Sequence, residues 1–180
     1  MERKTIDGKC FARMLHGGAI LLSEHMSEIN DLNVFPVPDG DTGTNMTKTL
    51  EGGLSELGAD ENETVGDVAG KFAHGVLLGA RGNSGVILSL FFKGLARGFD
   101  GVNAADSSAV AKAFSQGVEA AYGAVMNPTE GTILTVMRVC SEKAVEKVSQ
   151  GKYKYNPTAL FSYILKTGEK TLAKTPELLP

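Results

Sequence analysis

The chain contains no tryptophan, only two cysteines in 180 residues, and aromatic side chains make up just 7% of it. The cysteines, Cys10 and Cys140, each sit inside an apolar helical pattern and neither belongs to a CxxC pair. They read as buried free thiols, which excludes a disulfide framework or a zinc knuckle as the organising device. Basic residues do not dominate either: 18 Lys and Arg face 21 Asp and Glu, for a net charge of -3. With no basic stripe, recognition of a nucleic-acid backbone is excluded. No apolar run is long enough to cross a bilayer, so membrane insertion is not expected. The charged start, Met1-Glu2-Arg3-Lys4, leads into no signal-type apolar stretch. Free thiols without such a signal make a cytoplasmic location the expectation. The three histidines, His16, His25 and His74, are scattered over predicted helices and are expected to be structural or surface residues, not metal ligands. Sustained two-residue alternation with turn chemistry is also missing, so a sheet is not expected.

What the chain has in abundance is helical periodicity. Phe11, Met14, Leu15, Gly18, Leu22 and Met26 predict a first helix from about Lys9 to Ile29. A second starts near Asn45 and fades around Gly52-Gly53. Val65, Val68, Ala69 and Phe72 mark a third, with Thr64 as N-cap and Asp67 three residues on. Ile87, Leu90, Phe91 and Leu95 mark a fourth; Val110, Phe114, Val118, Ala121 and Val125 a fifth, ending before Asn127-Pro128. Ile133, Val136, Met137, Cys140, Ala144 and Val148 mark a sixth. Asn156-Pro157 pairs an N-cap with proline at the first helical position and opens a seventh, carried by Leu160, Tyr163, Ile164 and Leu172. Short connections between amphipathic helices favour antiparallel packing. At 42% hydrophobic residues the chain can build one core. No repeat or low-complexity linker divides it, so residues 1–180 read as a single all-α domain. The C-terminus, Thr175-Pro176-Glu177-Leu178-Leu179-Pro180, reads as a cut through a longer protein.

One stretch stands apart: Asn33-Val34-Phe35-Pro36-Val37-Pro38-Asp39-Gly40-Asp41-Thr42-Gly43-Thr44-Asn45-Met46. Two carboxylates flank a glycine on a proline-stiffened loop that runs into a helix. Like charges this close repel unless a cation compensates them. A hard cation such as Mg2+ takes few carboxylates and leaves room for water and phosphate oxygens. The competing reading is an Asp-Gly turn whose carboxylates cap the next helix. Thr42, Gly43, Thr44 and Asn45 stand where free N–H groups and the positive end of the helix dipole suit phosphate oxygens.

Gly79-Ala80-Arg81-Gly82-Asn83-Ser84-Gly85 is a second candidate anion loop, with Asn83 and Ser84 opening the next helix. It fits neither the Walker pattern nor the dinucleotide fingerprint. A tight turn between two packed helices explains it equally well, and Arg81 stands evenly between neutralising phosphate and being solvated. A third loop, Asn127-Pro128-Thr129-Glu130-Gly131-Thr132, precedes the sixth helix. There Thr132 and Ile133 offer a hydroxyl and an apolar side chain to a flat base, against the simpler reading of a turn plus helix start.

The first of these runs, together with Gly-Ala-Arg-Gly-Asn-Ser-Gly-Val-Ile-Leu-Ser and Glu-Gly-Thr-Ile-Leu-Thr-Val, resembles the N-terminal domain of the bacterial fatty acid kinase catalytic subunit. That domain belongs to the dihydroxyacetone kinase L-subunit (Dak2-like) superfamily, and the resemblance covers essentially the whole chain. It implies an antiparallel helical barrel or bundle of about seven to eight helices that binds ATP or ADP at one end through two Mg2+ ions. It implies Asp39 and Asp41 as catalytic residues and metal ligands, and Asn33 as a further ligand in place of an upstream acidic residue. Thr42 to Asn45 match a phosphate-holding stretch; Gly82, Asn83, Ser84 and Gly85 match a second; Thr132 and Ile133 match positions beside the adenine. The implied reaction transfers the γ-phosphoryl group to a fatty acid carboxylate presented by a separate carrier subunit. Such a transfer needs positioning and charge neutralisation more than a nucleophile–base pair. The family continues with another glycine-rich loop and a closing helix, whereas this chain stops at Pro180. Weakened nucleotide binding and little turnover by the chain alone are therefore expected, with the carrier recruited by other domains of the same protein. The alternatives are a kinase for a small triose such as dihydroxyacetone, a non-catalytic nucleotide-binding regulatory module, and a purely structural helical domain.

Overall fold

The computed structural model describes residues 4–35, 37–58 and 63–179. A two-residue strand, β1 (Ile6–Asp7), leads into α1 (Gly8–Glu24), α2 (Met26–Asp31), α3 (Thr42–Ser55), α4 (Val65–Gly79) and α5 (Gly82–Gly98). Then follow β2 (Ala104–Ala105), α6 (Ser107–Tyr122), α7 (Ile133–Ser149), α8 (Pro157–Leu172) and a single turn, α9 (Thr175–Leu178). The domain is all-α, as its periodicity predicts. The strands differ from expectation: Ile6 and Asp7 pair antiparallel with Ala105 and Ala104, a bridge too short to leave an alternation signal. The predicted first helix is broken at His25, whose backbone (φ -97°, ψ 9°) turns the chain between α1 and α2. The predicted fifth helix ends earlier, at Tyr122, leaving Val125 in the following turn.

The helices pack in series. α1 lies on α3 and α4, α4 on α3 and α5, α5 on α6, α6 on α7, and α7 on α8. Through this series runs a line of edge-to-face rings: Phe72 on Phe92 (4.8 Å between centroids), Phe92 on Phe91 (5.7 Å), Phe91 on Phe114 (5.6 Å) and Phe114 on Phe161 (5.9 Å). It links α4, α5, α6 and α8 through one core that also buries Val65, Val76, Val110 and Leu160 completely. Backbones of α3 and α4 touch at Gly52 and Gly75, where a β-carbon on Gly75 would stand 2.3 Å from the Gly52 carbonyl oxygen.

The bundle has two distinct ends. At one, the β1–β2 bridge sits beside the start of α4, whose Val65 and Gly66 N–H groups donate to Asn103 and Val102. Ser107 at the start of α6 donates to the Tyr153 carbonyl between α7 and α8 (2.5 Å). α1, α4, α6 and α8 therefore begin at this end, while α3, α5 and α7 begin at the other. Thr64 and Asp67 form the predicted capping box, the Asp67 amide donating to the Thr64 hydroxyl and the Thr64 amide to the Asp67 carboxylate. The Thr64 hydroxyl and amide hold the Asp67 carboxyl below its ordinary value. A carboxyl whose pKa falls on folding adds stability above the ordinary value, and that contribution disappears as pH drops through the lowered one. Thr64→Ala should cost about 1 kcal/mol at neutral pH. It should also flatten the acid-side fall in melting temperature, which thermal melts below about pH 4 would read.

Candidate functional site

The carboxylate loop joins α2 to α3, and Asn33 closes it from both sides. Its amide nitrogen donates to the Val37 carbonyl (2.6 Å), and its amide oxygen accepts from the Thr42 hydroxyl. A cation at that oxygen would have to share it with Thr42. Gly40 holds φ +67°, a left-handed turn that glycine adopts freely, and it sets Asp39 and Asp41 on either side. Asp41 precedes α3 in the N-cap position, yet its carboxylate makes no capping bond. Asp39 and Asp41 have no side-chain partner among the described residues. The capping-turn reading of this motif therefore lacks its capping bond. α3 is capped from elsewhere: Asn30 of α2 accepts from the Thr44 N–H (3.1 Å) and donates to the Thr44 hydroxyl (3.0 Å). Asn30 carried no signal in the sequence, because its partner lies across a loop.

The second loop comes against the first turns of α3. Gly82, at φ +57°, lies so near the Asn45 amide that a β-carbon would stand 2.4 Å from its nitrogen. Beneath them is Thr49, fully buried. Its hydroxyl donates to the Asn45 carbonyl (2.7 Å) and accepts from the Arg81 N–H (3.2 Å). Thr49 thus fixes the start of α5 to α3 and is a positioning residue that periodicity alone could not single out. Valine at this position keeps the shape but leaves the Arg81 N–H without its acceptor. Thr49→Val is expected to cost about 1–3 kcal/mol in denaturant unfolding. The Arg81 guanidinium donates to the Gly79 (3.2 Å) and Ala80 (2.9 Å) carbonyls, so it is folded back onto the end of α4.

Thr132 and Ile133 stand at the same end, but α7 packs on α6 and α8 rather than on α3 or α5. The Thr132 hydroxyl donates to the Thr129 carbonyl (2.8 Å). Thr42–Asn45 and Gly82–Gly85 are thus brought into contact, while Thr132 and Ile133 stand apart from them.

Capping separates the two ends of the bundle. Asp7, Thr64, Asp106 and Asn156 each accept a backbone N–H with their side chain, capping α1, α4, α6 and α8. The residues preceding α3, α5 and α7 (Asp41, Arg81 and Thr132) make no such bond. Three long helices therefore point the positive ends of their dipoles to the motif end, where Asn30 takes the Thr44 N–H and those of Thr42 and Gly43 have no side-chain cap, an arrangement that suits anions. The loop beside them exposes Leu32, Val34, Phe35 and Val37. Elsewhere, burial pushes the Cys140 thiol up, and His25 and His74 lie on the surface beside Glu28 and Glu56. Both cysteines are free, and no described helix is long and apolar enough to cross a membrane.

The fold defines an all-α helical bundle whose motif loops gather at one end. The chain belongs to the DAK2 domain family, which matches residues 36–180, a kinase-related family whose members bind nucleotide. It is 42% identical over 180 residues to protein YloV of Bacillus subtilis, covering all of this chain and 32% of that protein. An uncharacterized protein of Staphylococcus saprophyticus is 43% identical over 175 residues, covering 97% of this chain and 31% of the relative. One from Staphylococcus aureus is 43% identical over 174 residues, with 97% and 31% covered. The chain thus spans about a third of the length of these relatives, which carry further regions.

Proposed function

We propose that residues 1–180 form the ATP-binding domain of a kinase that phosphorylates a fatty acid carboxylate, the acceptor being presented by a separate carrier protein. The observation that carries this reading is that Asp41, Arg81 and Thr132 leave the starts of α3, α5 and α7 without a cap of their own, Asn30 taking only the Thr44 N–H, at the one end that also holds two unpartnered carboxylates. In this reading the N–H groups of Thr42 and Gly43, with those of Gly82, Asn83 and Ser84, hold phosphate oxygens, and Gly85 lets α5 approach α3. Asn45 supports the Gly82 turn, Thr44 stays held by Asn30, and Thr132 with Ile133 borders the base.

Among the described residues no group of three or more His, Cys, Asp or Glu side chains converges. The donor set near α3 is two carboxylates and an amide, which suits Mg2+ that keeps water and phosphate oxygens as its other ligands. Asp39 and Asp41 would hold Mg2+, with Asn33 next to them. Bound there, the metal would neutralise charge on the transferred phosphoryl group. The chain's own part is to set the carboxylates on a loop closed by Asn33 and to aim backbone N–H groups, while other regions of the protein recruit the carrier. Acceptor choice and turnover are properties of the whole protein, including regions beyond this domain.

Titration calorimetry of ATP and ADP, with and without Mg2+, tests the reading. Mg2+-dependent binding is expected; no binding in either condition would remove it. With the full-length protein, phosphoryl transfer to carrier-bound fatty acids but not to dihydroxyacetone is expected. Transfer to the triose alone would reassign the substrate, and binding without transfer to any acceptor would make the domain a regulatory module.

A further inference from the structure

The turn before α7 is held by a polar cluster that the phosphate-binding loops do not use. The Arg138 guanidinium holds Glu130 through one nitrogen, Nη2, at 3.0 and 2.9 Å from its two carboxylate oxygens. Its Nε donates to the Tyr122 hydroxyl of α6 (3.1 Å), and Nη1 lies 3.3 Å from Glu142. Glu130 also accepts from the Thr135 hydroxyl (2.9 Å), which in turn accepts from the Gly131 N–H (3.0 Å). Gly131 sits at φ +82° against α9, where a β-carbon would stand 2.7 Å from the Leu179 nitrogen and 2.8 Å from the Thr175 oxygen. α6, α7 and α9 thus converge on one turn, and the two residues after that turn are Thr132 and Ile133.

We infer that Arg138 is a positioning residue for the base side of the nucleotide site, acting through Glu130 on the turn that sets Thr132 and Ile133. The inference rests on the ATP-binding reading above. Two features separate positioning from plain stabilisation. Glu130 is 51% and Arg138 33% exposed, and ion pairs this exposed add little to global stability. A planar guanidinium that holds Glu130, Tyr122 and Glu142 at once, each from a different nitrogen, does, however, fix orientation. The cluster therefore restricts one turn far more than it stabilises the fold. Loosening it lowers the fraction of molecules with the turn correctly placed, and apparent affinity falls by that fraction. Groups that contact only the triphosphate are held by Thr49 and by α3 and α5, and do not depend on the cluster.

The test compares Mg-ATP, titrated directly, with inorganic triphosphate, measured by its competition against Mg-ATP, on wild type, R138M, R138K and E130Q. A turn ordered about a tenth of the time raises the ATP Kd about tenfold, and R138M and E130Q are expected to do this. Both should leave the triphosphate constant within about twofold, and the melting temperature close to wild type. R138K retains the charge but cannot hold Glu130, Tyr122 and Glu142 together from a planar group, and should fall between wild type and R138M. Equal losses for ATP and triphosphate would overturn the inference in favour of a phosphate-side or global role, as would unchanged ATP binding in R138M. Triphosphate that fails to compete in wild type would overturn it too, because no separable base side would then exist. Failure of wild type to bind ATP would instead remove the ATP-binding reading itself, and this inference with it.

Discussion

Asparagine at both Asp39 and Asp41 should raise the Kd for Mg-ATP by at least about a hundredfold while leaving the fold intact. The argument begins with what these carboxylates do not do. Neither caps α3, and neither has a side-chain partner among the described residues. Thr44 is served by Asn30, and the loop is closed by Asn33 and turned at Gly40. An amide of the same shape therefore disturbs no bond that the structure contains. What it removes is charge. A carboxylate about 4 Å from a dication gains roughly 2 kcal/mol even at the dielectric of water, and more near a protein surface. Losing two such terms exceeds the roughly 2.7 kcal/mol that corresponds to a hundredfold. Calorimetry with Mg-ATP reads the loss; circular dichroism and thermal melting read the fold. A double variant that melts far below wild type would assign the carboxylates to the turn itself, and an unchanged Kd would place the metal elsewhere.

The contrast between motif and support shows how far the sequence could be read. Helices were legible wherever an apolar stripe met a local stop signal: Thr64 with Asp67, and Asn156 with Pro157, sit where their side chains and ring dictate. Legibility failed where the deciding partner is distant in sequence. Nothing near His25 announces that α1 stops at Glu24; the break lets α2 pack on the first turns of α3, where Gly43 approaches Met26. Thr175–Leu178 forms a single helical turn whose neighbour is Gly131, far away in the chain. The same holds at the site. Thr42–Asn45 and Gly82–Gly85 could be picked out as loops, but that Asn45 meets Gly82 is a property of α3 lying beside α5. Asn30, Thr49 and the Arg138–Glu130 cluster are polar residues whose spacing is unremarkable and whose partners are set by packing. Arg81 was undecided between phosphate and solvent; its hydrogen bonds go to the carbonyls that end α4.

Packing between α3 and α5 also predicts the second large effect, that of Gly85→Ala. A β-carbon on the buried Gly85 would stand 2.4 Å from the Thr49 hydroxyl oxygen. Thr49 cannot yield easily, because it is fully buried and its hydroxyl is bonded to both Asn45 and Arg81. α5 must therefore move away from α3, at a cost of about 1–3 kcal/mol for overpacking. The first turn of α5 carries Asn83 and Ser84, so their N–H groups move with it relative to those of Thr42 and Gly43. If the two turns hold one anion, as proposed, turns that no longer face it lose affinity out of proportion to the stability lost. Gly94→Ala is the control. Its β-carbon would stand 2.2 Å from the Gln116 carbonyl oxygen, a closer clash, against backbone, on the α6 side of the same helix. Both variants should melt lower than wild type, but at a temperature well below both transitions only Gly85→Ala should lose Mg-ATP binding, by at least about tenfold. Equal affinity in the two variants would mean that the register of α5 against α3 does not set the site.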